Sequence, residues 1–212
     1  MNILILDPAA STGYALMSVD QNNHTATIYE YGFLDVDTTS FYEGDWCIDL
    51  MNQLTKLHNI HQFTEIAVED YFFSSKFASG TNVNMAYRTA IHIWARRNNL
   101  PYDILNVSQW KKHVAGRSTP TKEQKRQWGK EAAKKLYMQQ ALWDRYQIRF
   151  PNHSISHKTG KPILFRYDIV DAVGQAIFHA ESQYQVQQFY VTVSLPQDVE
   201  FKKKSKKIFT YN

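Results

Sequence analysis

Asp7 and Glu69 each stand directly after a short apolar run, Ile3 to Leu6 and Ile66 to Val68. If those runs are strands lying parallel as neighbours, the two carboxylates sit side by side at the strand ends, where open α/β sheets place their sites. Asp168 and Asp171 are three residues apart at the start of a segment with helical periodicity, so both project from one face and can reach the same cleft. Four convergent carboxylates repel one another and raise each other's pKa values unless a hard cation such as Mg²⁺ or Mn²⁺ stands among them. The chemistry this pattern suggests is metal-assisted hydrolysis.

Each acid also has an ordinary reading. Asp7 precedes Pro8 and suits a turn that ends a strand. Asp168 suits a helix N-cap, and Asp171 suits the first turn, where the helix dipole favours acids. Glu69 closes a buried strand, which is costly for a carboxylate without a partner, but a register shifted by one residue would turn the neighbouring Asp70 inward instead.

The elements that must hold these residues follow from periodicity. Ile3–Leu6, Tyr14–Val19 and His24–Leu34 read as three strands of an antiparallel meander, the third with one wetter face. Cys47, Leu50, Met51, Leu54 and Leu57 recur at spacings of three and four, predicting a helix over about 44–60. A strand at 66–68 follows, then a helix over 82–97 with Met85, Ala86, Ala90, Ile93 and Trp94 on one side, then a strand at 102–107. From Thr119 and Pro120 to about Tyr146 the spacing predicts one long basic helix carrying Trp128, Ala132, Leu136 and Leu142. Residues 147–166 read as a basic loop before a final helix at 168–183. The order predicts an α/β fold, the five-stranded mixed sheet of the ribonuclease H-like architecture flanked by helices, in a domain spanning 1–183 with a basic C-terminal extension at 184–212.

The chain has 212 residues, enough for one well-packed core. Its apolar fraction of 43% and charged fraction of 21% argue against disorder and against fibres. No apolar run approaches the ~18 residues that span a bilayer, and Asp7 interrupts the first run, so no membrane span and no secretory signal are expected. A single cysteine, Cys47, supports neither a disulfide framework nor a cysteine-rich zinc cluster, and His58 and His61 are a close pair without further ligands nearby. Residues 1–75 hold one Lys against eleven acids, whereas 76–212 hold 23 Lys and Arg against nine. The second part therefore reads as an anion-binding surface, and nucleic acid as the leading partner class. Trp46, Trp94, Trp128 and Trp143 fall at helix-core spacing and read as packing residues.

Four segments together resemble the RuvC family of Holliday junction resolvases over roughly residues 1–182. ILILDPAASTGYAL is similar to the family's first strand, with its catalytic Asp followed by a turn. IAVEDYFF is similar to the strand carrying the catalytic Glu, and its Phe72 falls where bacterial members keep a phenylalanine that inserts at the junction. VSQWKKHVAGRSTPTKEQ resembles the family's Lys, Gly, Lys segment, with Lys111 five before Gly116 and Lys122 six after it. DIVDAVGQAIFHA is similar to the closing helix with its two acids. Ala9 and Ala10 stand where bacterial members favour glycine, the connection at 147–166 is longer and more basic, and the end of the chain has no counterpart. These departures mark a divergent member and leave a viral source open.

The resemblance implies a divalent-metal-dependent DNA endonuclease that resolves four-way junctions by paired symmetric incisions. Asp7, Glu69, Asp168 and Asp171 would hold Mg²⁺ or Mn²⁺, two ions per site, to activate water and stabilise the leaving oxyanion of a phosphodiester. Lys111 and Lys122 would act at the scissile phosphate, with Phe72, Lys112, Arg117, Lys125 and Arg126 on the DNA. Lys202, Lys203 and Lys204 belong to a run of five lysines in six residues that would also touch phosphate. A two-fold symmetric substrate cut on two strands implies a homodimer, and Tyr87, Ile91 and Trp94 offer a candidate apolar strip for it. The implied location is the cytoplasm, the host's for a viral chain.

Two other readings use the same residues. Four acids specify phosphodiester cleavage and not the shape of the substrate, so a nuclease for flaps or forks fits them equally. A non-catalytic DNA-binding module needs only the basic half, but it would leave the acids repelling the ligand.

Overall fold

The computed structural model describes residues 1–9, 11–37, 39–40, 42–70, 78–150, 154–155, 162–163 and 167–192. Phe72 and the lysines at 202–204 lie outside the described residues.

The meander forms as β1 (Asn2–Asp7), β2 (Ser11–Asp20) and β3 (Thr25–Asp35), paired antiparallel in sequence order. Helix α1 (Glu43–His61) then crosses back so that β4 (Glu65–Glu69) pairs parallel with β1. After α2 (Ala78–Arg97), β5 (Tyr102–Leu105) adds in parallel to β4. Three helices follow, α3 (Val107–Ala115), α4 (Lys122–Trp128) and α5 (Lys130–Tyr146), then a two-residue ladder of β6 (Ser154–Ile155) with β7 (Pro162–Ile163), and α6 (Tyr167–Tyr184).

The sheet gains a sixth strand beyond the five expected. At the end of α6 the chain turns through Gln185 in the left-handed region and buries Val186. β8 (Gln188–Val191) then pairs parallel with β3, giving the order β5-β4-β1-β2-β3-β8. The first residues of the segment read as an extension are thus part of the sheet.

Alternation along the strands divides the core between the two faces. Ile3 and Ile5 of β1, Ala67 of β4 and Met17 of β2 pack under α3, α5 and α6, with Trp110, Tyr137, Met138, Val170, Val173 and Ile177. Leu4, Leu6, Leu16, Ile66 and Val68 pack on the opposite face under α1 and α2, with Leu50, Leu54, Leu57, Tyr87, Ile91 and Trp94. A sheet with helices on both faces needs apolar runs, which is what β1 and β4 supply.

Several expectations need correction. Val107 opens a helix and does not end a strand, because the Asn106 side chain accepts from the backbone N–H groups of Ser108 and Gln109 and caps α3. The single basic helix of 119–146 is instead two helices. Thr121 and Gln124 form a capping box that starts α4, and Gly129, at φ +80°, ends it and restarts the chain as α5. On α5 the core face is Ala133, Tyr137, Met138 and Leu142, so Ala133 and Tyr137 take the places expected for Ala132 and Leu136. On α2 the buried face is Tyr87, Ala90, Ile91, Trp94 and Ala95, while Met85 and Ile93 are exposed. The strip of Tyr87, Ile91 and Trp94 offered for pairing is therefore core, since α2 must cover the α1 side of the sheet.

Candidate active site

The pleat that sorts the core also sorts the acids. Asp7 ends β1 on the face of Ile3 and Ile5, and Glu69 ends β4 on the face of Ala67, so both turn towards α6. Asp70, one residue on, points to the other side, where Arg88 of α2 forms an ion pair with it. By the period of two, Glu69 shares the face of Asp7 and Asp70 does not.

Asp7 pairs across the ladder with Gly13 of β2. A Cβ at Gly13 would lie 2.1 Å from the carbonyl oxygen of Asp168, so only glycine lets the start of α6 close onto β2. That approach brings the first turn of α6, with Asp168 and then Asp171, to the end of β1.

The electrostatics register the convergence. Asp7 is buried, and burial, followed by the charges of Glu69 and Asp171, a hydrogen bond with Glu69 and the charge of Asp168, pushes its pKa well above the usual carboxylate range. Lys111 of α3 stands 3.6 Å from Asp171 Oδ2. Burial alone would lower its pKa, but the charges of Asp171 and Glu69, with smaller ones from Tyr137 and Asp7, outweigh it and hold the ammonium protonated.

No three His, Cys, Asp or Glu side chains among the described residues have the spacing of a ready metal cage. The four acids face one cleft, with Asp7 and Glu69 in hydrogen-bonding contact and Asp168 and Asp171 at electrostatic range of Asp7. The donor set nevertheless fits a hard divalent cation: it is all oxygen, and the proton demand of Asp7 marks a deficit of positive charge.

The remaining residues singled out from sequence fall at different distances from this cleft. Lys122 is exposed in the first turn of α4 and makes no ion pair with the four acids. Lys112 and Arg117 are exposed at the end of α3 and just beyond it, and Lys125 is half-buried on α4. Arg126 is exposed and paired with Glu123 at 2.8 Å. Sequence reasoning passed over Trp110, which is fully buried and donates its Nε1–H to Glu69 Oε1 at 2.8 Å. Its position directly before Lys111 was the only signal. Tyr137 was also passed over; its hydroxyl donates to the Ser118 carbonyl and ties the segment holding Arg117 to α5.

Comparison with known proteins agrees with this architecture. The family model described as crossover junction endodeoxyribonuclease RuvC matches residues 3–136, a span that holds Asp7, Glu69, Lys111 and Lys122 and stops short of Asp168 and Asp171. No curated protein matches the sequence. Among solved structures, Thermus thermophilus RuvC in complex with a Holliday junction substrate is similar with a TM-score of 0.61 at 14% identity, over 87% of this chain and 96% of that one. A second T. thermophilus RuvC structure gives 0.58 at 13% identity, over 89% and 99%. The Fowlpox virus resolvase complexed with Holliday junction DNA gives 0.53 at 16% identity, over 86% and 98%. At these identities the likeness is one of fold, the ribonuclease H-like α/β arrangement.

Proposed function

The chain belongs to the RuvC family of crossover junction endodeoxyribonucleases, and from that membership we propose that Asp7, Glu69, Asp168 and Asp171 hold the divalent cations with which it cuts four-way DNA junctions. It is a junction-resolving nuclease, and the family implies dependence on a divalent metal in general. The finer reading, two Mg²⁺ or Mn²⁺ ions at these four acids, rests on one observation above the others: Asp7 and Glu69 end neighbouring parallel strands on one face, where the start of α6 with Asp168 closes onto Gly13, the ladder partner of Asp7.

The bound cations would lower the pKa of a water and take up charge on the leaving oxygen of the phosphodiester. The chain's own residues prepare that step. The strand ends fix Asp7 and Glu69 on rigid backbone, and α6 brings Asp168 and Asp171 as a unit. Lys111 lies 3.6 Å from Asp171, where its ammonium would meet a non-bridging phosphate oxygen. The exposed Lys112, Arg117, Lys122 and Arg126, with Lys125, would carry backbone phosphates outside the cleft and set the register of the DNA.

Paired incision needs two sites, and one chain supplies one. We propose a homodimer whose two-fold axis matches that of the junction. With Tyr87, Ile91 and Trp94 in the core, the large apolar side chains that α2 leaves exposed among the described residues are Met85 and Ile93.

The test is incubation with a labelled synthetic four-way junction, with Mg²⁺ or Mn²⁺ and with EDTA, beside flap and fork substrates. Symmetric nicks on opposing strands that vanish in EDTA are expected. No junction cleavage with either ion would overturn the metal reading, preferential cutting of flaps would replace the substrate, and a strictly monomeric enzyme releasing singly nicked cruciform plasmid would remove the dimer.

A further inference from the structure

Trp110 connects two members of the proposed site without carrying charge itself. Asn106 caps α3 directly after β5, so the first turn of α3 crosses over the end of β4, where Glu69 stands. From there the indole Nε1–H donates to Glu69 Oε1 at 2.8 Å. The Lys111 ammonium lies 4.9 Å from the centre of the same ring, within reach of its π face.

The ring has little freedom to move. Trp110 is fully buried, and a Cβ added at Gly174 of α6 would fall 2.9 Å from its Cζ3, with Met138 Sδ next to it. Gly174 lies one helical turn beyond Asp171, so the helix carrying two of the acids also seats the ring that holds a third.

The indole N–H suits this task chemically. It only donates, it does not titrate, and it cannot ligate a cation, so it occupies one lone pair of Glu69 without competing for the metal. A glutamate with its rotamers already fixed loses less conformational freedom when it takes up a cation. Outer hydrogen bonds of this type orient metal ligands in other proteins.

We propose that Trp110 is a positioning residue that presets the Glu69 carboxylate for a divalent cation. The proposal rests on the reading of Glu69 as a ligand. In the full-length protein, Trp110→Phe deletes the N–H and keeps a ring against Gly174 and Lys111. Titration calorimetry of DNA-free protein with Mn²⁺ should show affinity weakened about 10- to 100-fold, and the Mn²⁺ needed for half-maximal cleavage should rise by a similar factor. Junction affinity in EDTA should stay within about twofold of wild type, which a merely structural defect would not leave intact. Wild-type Mn²⁺ affinity in Trp110→Phe would overturn the proposal. Wild-type Mn²⁺ affinity in Glu69→Gln would instead overturn the ligand reading on which it rests, so the two failures are distinguishable. Should Trp110→Phe not fold, Gly174→Ala, which displaces the ring from the other side, decides by the same titration: a weakening of Mn²⁺ binding that vanishes in the Glu69→Gln background supports the proposal, and unchanged binding or a loss that persists in that background removes it.

Discussion

Gly13 and Asp168 meet backbone to side-chain position: the place of a Cβ on Gly13 lies 2.1 Å from the Asp168 carbonyl oxygen. This contact joins a strand of the meander to α6, 155 residues later in sequence. It sets how near Asp168 and Asp171 come to Asp7.

Gly13→Ala must therefore push α6 off β2. Forced overpacking of this type costs roughly 1–3 kcal/mol, and the displacement moves two acids at once. Thermal unfolding should fall by several degrees, and cleavage should drop far more than the loss of stability explains at a temperature where the variant is folded.

Asp7→Asn, Glu69→Gln, Asp168→Asn and Asp171→Asn should each reduce cleavage on the order of 10²-fold or more, the scale seen when one group that stabilises transition-state charge is removed. Junction binding should remain or tighten, because each change lessens repulsion of phosphate. Asp70→Asn should cut normally, since Asp70 faces Arg88 across the sheet from the cleft. An inactive Asp70→Asn with an active Glu69→Gln would reverse the face assigned to the site.

Metal and pH act on stability through Asp7. Its folded pKa is raised by burial first and by Glu69 and Asp171 next, so the folded state binds this proton more tightly than the unfolded chain does. The sign follows by linkage: the associated stability is present below the ordinary carboxylate pKa and is lost as pH rises through the raised one. At neutral pH the metal-free protein should melt higher as Asp7→Asn than as wild type, and Mn²⁺ should raise the melting temperature of wild type more than that of the variant.

The two lysines should behave differently. Lys111 stands 3.6 Å from Asp171, so Lys111→Gln should lower the cleavage rate more than junction affinity. Lys122 is exposed at the start of α4, so Lys122→Gln should mainly weaken binding and reduce the slope of log affinity on log salt by ~0.9. Truncation before Lys202 tests the lysine run in the same measurement; an unchanged slope would show that it does not touch DNA.

At the opposite end of β4, Glu65 accepts from His179 at 2.6 Å and from the Tyr184 hydroxyl, tying α6 to the sheet. Burial works to raise the Glu65 pKa, but the two hydrogen bonds and the His179 charge outweigh it and lower it. A depressed carboxylate contributes stability that is present above its unfolded pKa of about 4.3 and lost as pH falls through the folded value. Glu65→Gln should cost about 1.5–3 kcal/mol at pH 7, the worth of hydrogen bonds to a charged group. The difference from wild type should shrink in denaturant melts below about pH 4.

How much of this was legible in the chain depends on the distance over which each feature is decided. Strands β1 to β4, helices α1, α2 and α6 and the places of the four acids at element ends were readable, because apolar periodicity and strand-ending carboxylates are local properties. The end of β5 and the break at Gly129 were misread because a cap at Asn106 and one glycine outweigh several residues of favourable pattern. The core face of α2 was also misread: Met85 and Ile93 share a helical stripe with buried neighbours, and only the position of α1 decides which side of the stripe is covered. The sequence by itself determined that Asp7, Glu69, Asp168 and Asp171 exist at element ends in a chain with a basic second half. Tertiary structure alone decided that Glu69 and not Asp70 shares the face of Asp7, that Gly13 admits α6, that Lys111 lies beside Asp171, and that Trp110 donates to Glu69. Those facts depend on strand pairing and helix docking between residues tens of positions apart, and pairing partners leave no mark in the local pattern of either segment.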